Sequence, residues 1–226
     1  MIQILAILLI ILISCDILVE SRQISSREVV GSVRRKEDME DIKVKFGVMG
    51  TANIARKNIR ALKLTKNCQL IAVASRSKDK VERYATENDL DSSVKLFDNY
   101  QSLLDDPDIQ AVYIPLPTVA HAEWVRKAAK AKKHIILEKP VALSHHDFLE
   151  MIKDCRREGV NLMDGTMFMH HDRYCSLLKH LNDPVVGEVK HIRSSFSFNG
   201  GQEFLDTNIR ASKEGDPLGC LGDLGW

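Results

Sequence analysis

Two short stretches of this chain hold residue types and spacings that could do chemistry. His134 to Leu143 (HIILEKPVAL) is an apolar strand pattern that ends in Glu138, Lys139 and Pro140. Charged side chains seldom finish a core strand unless they reach a ligand or a partner. The proline stops the strand and fixes the backbone beside the lysine. Taken alone, the stretch also fits a solvated Glu-Lys pair. The second stretch, Gly50-Thr51-Ala52-Asn53-Ile54-Ala55, stands between an apolar strand and a helical segment. A phosphate-binding turn there wants glycine for the tight bend and small residues where backbone meets anion and where helix meets strand. Gly50, Ala52 and Ala55 meet those needs, and the helix N-terminus would present free N–H groups to the anion. The plainer alternative is a strand, a turn and a helix with no ligand.

The elements that must position these residues alternate along the chain. Lys43 to Gly50, Gln69 to Ser75, Ala111 to Ile114 and His134 to Leu137 are near-continuous apolar runs. Between them lie helical patterns: Ala52 to Leu62 with Ile54, Ile59 and Leu62, and a polar helix over Val81 to Glu87. A further stripe is formed by Trp124, Val125, Ala128 and Ala129, and another by Phe148, Leu149, Ile152 and Cys155, closed by Gly159. Strands apolar on both faces that alternate with helices imply a parallel sheet covered on both sides. The expected fold class is therefore α/β, an N-terminal doubly wound parallel sheet of the Rossmann kind. Arg173 to Asn182 predicts a helix, and Glu188 to Phe198 alternates imperfectly, as a long strand with one wet face would. That predicts an antiparallel sheet that begins a second domain.

In such a sheet the residues ending the second strand select the dinucleotide. A site for an unphosphorylated ribose carries Asp or Glu there; this chain has Ser75 and Arg76. A hydroxyl and a guanidinium suit a 2′-phosphate. NADP(H) is the expected cofactor, with NAD(H) the alternative if Arg76 simply faces solvent.

Bulk properties narrow the partners. The 226 residues hold 32 Lys and Arg against 31 Asp and Glu, a net charge of +1. That leaves no basic footprint for nucleic acid. Five scattered cysteines, Cys15, Cys68, Cys155, Cys175 and Cys220, form no CxxC pair. They fit reduced thiols in a cytoplasmic compartment better than a disulfide framework or a zinc site, and no metal is expected. Residues 1–38 differ from the rest: Ile2 to Ile13 is an unbroken apolar run, too short to span a bilayer comfortably. A polar linker follows it. A secretory signal or membrane anchor and a working start at Met39 both stay open.

Several stretches taken in order, FGVMGTANIA, YIPLPTVAHAEWV, HIILEKPVAL, MDGTMFMHH and GCLGDLGW, resemble the glucose-fructose oxidoreductase/inositol dehydrogenase (Gfo/Idh/MocA) family. The likeness leans toward its plant-type branch, related to dimeric dihydrodiol dehydrogenases. The resemblance implies an NAD(P)-binding Rossmann domain over 39–165. It also implies the start of an α/β domain with an open antiparallel sheet, an incomplete substrate and dimerisation domain over 166–226, with homo-oligomers among full-length relatives. It assigns the cofactor to Gly50, Thr51, Ala52, Asn53, Ile54, Ser75, Arg76, Pro117, His121 and Glu138. Pro117 and His121 would line the nicotinamide pocket, and Glu138 would lie by its ribose. Catalysis would fall to Lys139, which reaches the substrate oxygen beside the nicotinamide, and to Asp223. Hydride transfer to a carbonyl leaves growing negative charge on oxygen, which an ammonium stabilises, and the nicotinamide removes any need for a metal.

The expected activity is an NADP(H)-dependent exchange of hydride with a sugar, polyol, dihydrodiol or related small molecule. Family members also carry a histidine or tyrosine four positions after the aspartate. That position directly follows Trp226, so the resemblance implies a truncated form. The alternative function is a dinucleotide-binding or sensing protein without catalysis, or an inactive fragment.

Overall fold

The computed structural model describes residues 43–224 apart from 182 and 186. The apolar segment and linker of residues 1–38, and Trp226, lie outside the described residues. Strand β1 (Val44–Met49) pairs in parallel with β2 (Cys68–Ala74), and β2 with β3 (Lys95–Phe97). Then come β4 (Ala111–Ile114), β5 (His134–Leu137) and β6 (Leu162–Asp164), the last two again parallel. The strand order is β3-β2-β1-β4-β5-β6, that of a doubly wound dinucleotide-binding sheet.

Burial on both faces explains the unbroken apolar runs. Phe46, Val48 and Met49 of β1, all four residues of β4, and Ile135 to Leu137 of β5 are buried. The three-residue strands β3 and β6 stand at the ends of the order and are only partly covered. They carry no comparable hydrophobic pattern, which is why sequence periodicity passes over them.

The helices follow from their apolar faces. Helix α1 (Asn53–Leu64) buries Ala55, Ile59 and Leu62; α2 (Lys78–Glu87) buries Val81 and Tyr84; α3 (Tyr100–Asp105) buries Tyr100, Leu103 and Leu104. Asn99 caps α3 by accepting a hydrogen bond from the Ser102 backbone N–H at 2.8 Å. Helix α4 (His121–Lys130) buries His121, Val125, Ala128 and Ala129. Helix α5 (His145–Glu158) is capped by Ser144, which accepts from the Asp147 N–H, and ends at Gly159 with φ of 71°. That left-handed conformation suits a residue without Cβ. The inward stripe of α5 differs from the expected one. Met151 and Cys155 are buried whereas Leu149 is exposed, because residues four apart share a helix face.

The chain divides into two compact units, Met1–Ala111 and Val112–Trp226. In the first, a Cβ added at Gly47 would stand 2.9 Å from a Leu103 methyl, so glycine lets α3 sit close on β1. Leu103 itself is fully buried. Leu103→Ala is expected to cost about 2–4 kcal/mol, read as a lower urea midpoint. An unchanged midpoint would show that the contact stabilises nothing.

In the second unit, α6 (Asp172–Leu181), α7 (Gly201–Thr207) and α8 (Gly219–Leu224) follow the sheet. The strand expected over Glu188 to Phe198 is not formed: those residues lack regular structure, and Ile192, Phe196 and Phe198 are exposed. An alternating pattern becomes a strand only where another strand takes its N–H and C=O groups. No described segment does so, and the expected antiparallel sheet is absent from the described residues. Among those residues no helix is long and apolar enough to cross a membrane.

Candidate active site

In the first unit the turn after β1 brings the candidate phosphate-binding residues to one place. Gly50 has φ of 131°, in the region that favours glycine, and its N–H donates to the Ala74 carbonyl at 2.9 Å. That bond sets the turn against the end of β2. Ala52 offers α1 no side-chain cap, and the first turn of α1 contains no acid. The N-terminal dipole of α1 is therefore free to meet an anion. Thr51, Ala52 and Ile54 are half-buried and Asn53 is exposed. Past β2, Ser75 is buried and Arg76 is exposed. Burial pushes the Tyr100 phenol up, while the Arg76 guanidinium hydrogen-bonded to it pulls the other way. Tyr100 thus steers Arg76, and no carboxylate stands at either position closing β2.

In the second unit Glu138, Lys139 and Pro140 are each held by a different element. Tyr113 of β4 donates its hydroxyl to Glu138 Oε1 at 2.6 Å, and the Glu138 N–H donates to the Ile114 carbonyl at 3.2 Å. Gly165 lies close behind: a Cβ there would meet the Leu137 carbonyl oxygen at 3.2 Å and Glu138 Oε1 at 3.4 Å. Lys139 Nζ lies 2.6 Å from Asp223 Oδ1 on α8 and also donates to the Asp223 backbone carbonyl. Arg210 Nε reaches the same carboxylate oxygen at 2.9 Å. Burial would raise the Asp223 pKa, but the hydrogen bonds from Lys139 and Arg210 outweigh it and hold the carboxyl below its ordinary value. Asp223 is an ionised acceptor between two cations.

Pro117 is exposed at the start of the short 3-10 turn Thr118–Ala120. His121, which opens α4, is fully buried. Its Nδ1 lies 2.9 Å from the Pro140 carbonyl and 3.3 Å from that of Val141, and its Nε2 lies 2.8 Å from the Leu116 carbonyl. Its polar atoms face backbone.

Burial also sets how the fold responds to pH. It pushes the His121 imidazole below its ordinary value, against the pull of the three carbonyls, and pushes His134 down as well. His134 Nδ1 accepts the Asn161 N–H at 3.1 Å, which a protonated ring cannot do. A pKa lowered on folding means the unfolded chain binds more protons. This contribution is then present above about pH 6.5 and is lost as pH falls through the folded values. The urea midpoint is expected to rise between about pH 5 and about pH 7.5. His134→Asn, which keeps an acceptor that does not titrate, should flatten the slope. An equally steep slope in that variant would assign the effect to other groups.

The structure thus brings Lys139 to Asp223 and seats Glu138 beside them in the chain, while the Gly50–Ile54 turn and Ser75–Arg76 belong to the first unit. Tyr100, Tyr113 and Arg210 are the additional residues. Tyr113 is the one polar-tipped residue of β4, a signal readable in AVYI. Arg210 carries no such signal, since its relation to Lys139 exists only in three dimensions. The pair His145 and His146 opens α5 on its exposed side. Among the described residues no three His, Cys, Asp or Glu side chains converge as a metal site would require.

Comparison with known proteins bears on this arrangement. Residues 44–166 match the oxidoreductase family with an NAD-binding Rossmann fold, Gfo/Idh/MocA. The chain is 35% identical over 183 residues to a dTDP-3,4-didehydro-2,6-dideoxy-alpha-D-glucose 3-reductase of Saccharopolyspora spinosa, covering 80% of this chain and 53% of that one. It is 33% identical over 156 residues to D-xylose 1-dehydrogenase (NADP(+)) 2 of Haloferax volcanii, covering 68% and 46%. A crystal structure of a 3-ketoreductase from Actinomadura kijaniata in complex with NADP superposes with a TM-score of 0.59 at 33% identity, over 65% of this chain and 46% of that one. The chain spans about half the length of the curated relatives it matches. With the family match covering more than half of its residues and the strand order to go with it, the chain belongs to the Gfo/Idh/MocA oxidoreductase family.

Proposed function

We propose that this chain binds NADP(H) and serves an NADP(H)-dependent oxidoreductase that exchanges hydride with a sugar, polyol or related alcohol or carbonyl. The observation that carries the reading is Lys139, fixed at the end of β5 with its ammonium 2.6 Å from Asp223. The residues of the first unit fit the cofactor. The Gly50 turn and the uncapped α1 suit a pyrophosphate, and Arg76 with no acid beside it suits a 2′-phosphate. Sugar enzymes among the relatives, one of them named for NADP, support the same substrate and cofactor class.

Bound NADPH would supply the hydride. Lys139 donates an N–H to the substrate oxygen and stabilises the charge that grows there, an effect strongest where water is excluded. Asp223, kept ionised by Lys139 and Arg210, orients the ammonium. Glu138, fixed by the Tyr113 hydroxyl, would accept hydrogen bonds from the nicotinamide ribose.

Fluorescence titration of the chain with NADPH and NADH, followed by NADPH oxidation assays with keto-sugars, tests this. NADPH is expected to bind about tenfold tighter than NADH or better, the worth of one charge-assisted contact. Equal affinity, or none, would defeat the cofactor assignment. Tight binding without turnover on any keto-sugar would favour a dinucleotide sensor.

A further inference from the structure

We propose that His121 is a positioning residue for the hydride-transfer site, its buried ring locking the backbone on which Lys139 and Pro117 stand. The inference rests on the cofactor reading above and adds how the site is held. The ring begins α4, a helix anchored by buried Val125, Ala128 and Ala129. Its two nitrogens reach two different loops. Nδ1 meets the carbonyls of Pro140 and Val141, the two residues that follow Lys139. Nε2 meets the carbonyl of Leu116, the residue before Pro117.

A ring this buried touches neither substrate nor solvent, so its influence passes through backbone. A carbonyl left in the interior without its donor costs free energy and tends to rotate toward another partner. Rotation of the Pro140 carbonyl turns the adjoining peptide of Lys139, and a lysine swung away by about 1 Å can lose much of its effect. Of the two ties, the one at Nδ1 bears on Lys139 and the one at Nε2 on the loop that carries Pro117. All three acceptors are carbonyls, and a neutral ring has one N–H to give. The two sides of the ring can therefore be separated by substitution.

Asparagine places an amide nitrogen near the position of Nδ1, and glutamine places one near Nε2. His121→Gln, which gives up the tie beside Lys139, is expected to turn over a keto-sugar about tenfold more slowly than His121→Asn, the scale of one buried hydrogen bond, while its NADPH affinity stays within about threefold of the native chain. Both should bind 2′,5′-ADP within about twofold of the native chain, since that fragment needs only the first unit's residues. Turnover in His121→Gln equal to or better than in His121→Asn, or parallel loss of NADPH and 2′,5′-ADP binding, would overturn the proposal. Amide exchange over residues 139–142 reads the clamp with no cofactor present. It should be faster in His121→Gln than in His121→Asn, and equal rates would overturn the proposal. If the native chain fails to bind NADPH, the cofactor reading falls, while the exchange comparison still decides the role of His121.

Discussion

Replacing Lys139 with alanine is expected to lower NADPH-dependent reduction of a keto-sugar by about 10²–10³-fold, the usual cost of removing one donor aimed at a developing oxyanion. NADPH affinity should stay within about threefold, because the lost interaction strengthens only as the oxygen becomes negative. The fold should tolerate the change. Asp223 keeps Arg210 at 2.9 Å, so its carboxylate is not left as an uncompensated charge. Lys139→Arg is the informative companion: it preserves the charge but presents a planar fork where a point charge stands, and should recover little. Rates and affinities falling together in Lys139→Ala would make Lys139 a binding residue. An unchanged rate would remove it from the reaction.

The second large effect concerns cofactor choice. Arg76→Ala is expected to weaken NADPH binding by about 10–100-fold, the value of hydrogen bonds between a guanidinium and a phosphate. NADH binding should move by no more than about twofold, since it has no 2′-phosphate for the guanidinium to hold. Tyr100→Phe removes the hydroxyl that steers Arg76 and should yield a smaller loss in the same direction. Arg76→Glu should go further and favour NADH, because a carboxylate repels the 2′-phosphate and accepts from a free ribose. Preference for NADPH persisting in Arg76→Ala would show the guanidinium to be an ordinary surface charge.

Much of the sheet was legible in the amino-acid order because the sheet itself is local. Each central strand is buried on both faces, so KVKFGVMG, QLIAVAS, AVYI and HIIL show as unbroken apolar runs whatever their neighbours are. Gly50 and the small residues after it mark the turn, and the absence of an acid at Ser75 and Arg76 is equally plain, since both are properties of one short segment. Edge strands β3 and β6 escaped for the converse reason: half covered and three residues long, they are strands by virtue of their partners.

The same dependence worked in reverse at Glu188 to Phe198, where an alternating pattern found no partner among the described residues and stayed irregular. The chemistry at β5 divides along this line. That charge follows a core strand at Glu138 and Lys139 is legible in the amino-acid order alone, because the buried run before it shows position by position. What meets that charge depends on packing between elements far apart in the chain. Tyr113 of β4 meets Glu138, and Asp223 of α8, itself held by Arg210, meets Lys139; these hydrogen bonds depend on distances that no local pattern encodes. His121 shows the difference most plainly. The family likeness names it for the nicotinamide pocket, and only packing shows its ring fully buried among the carbonyls of two loops.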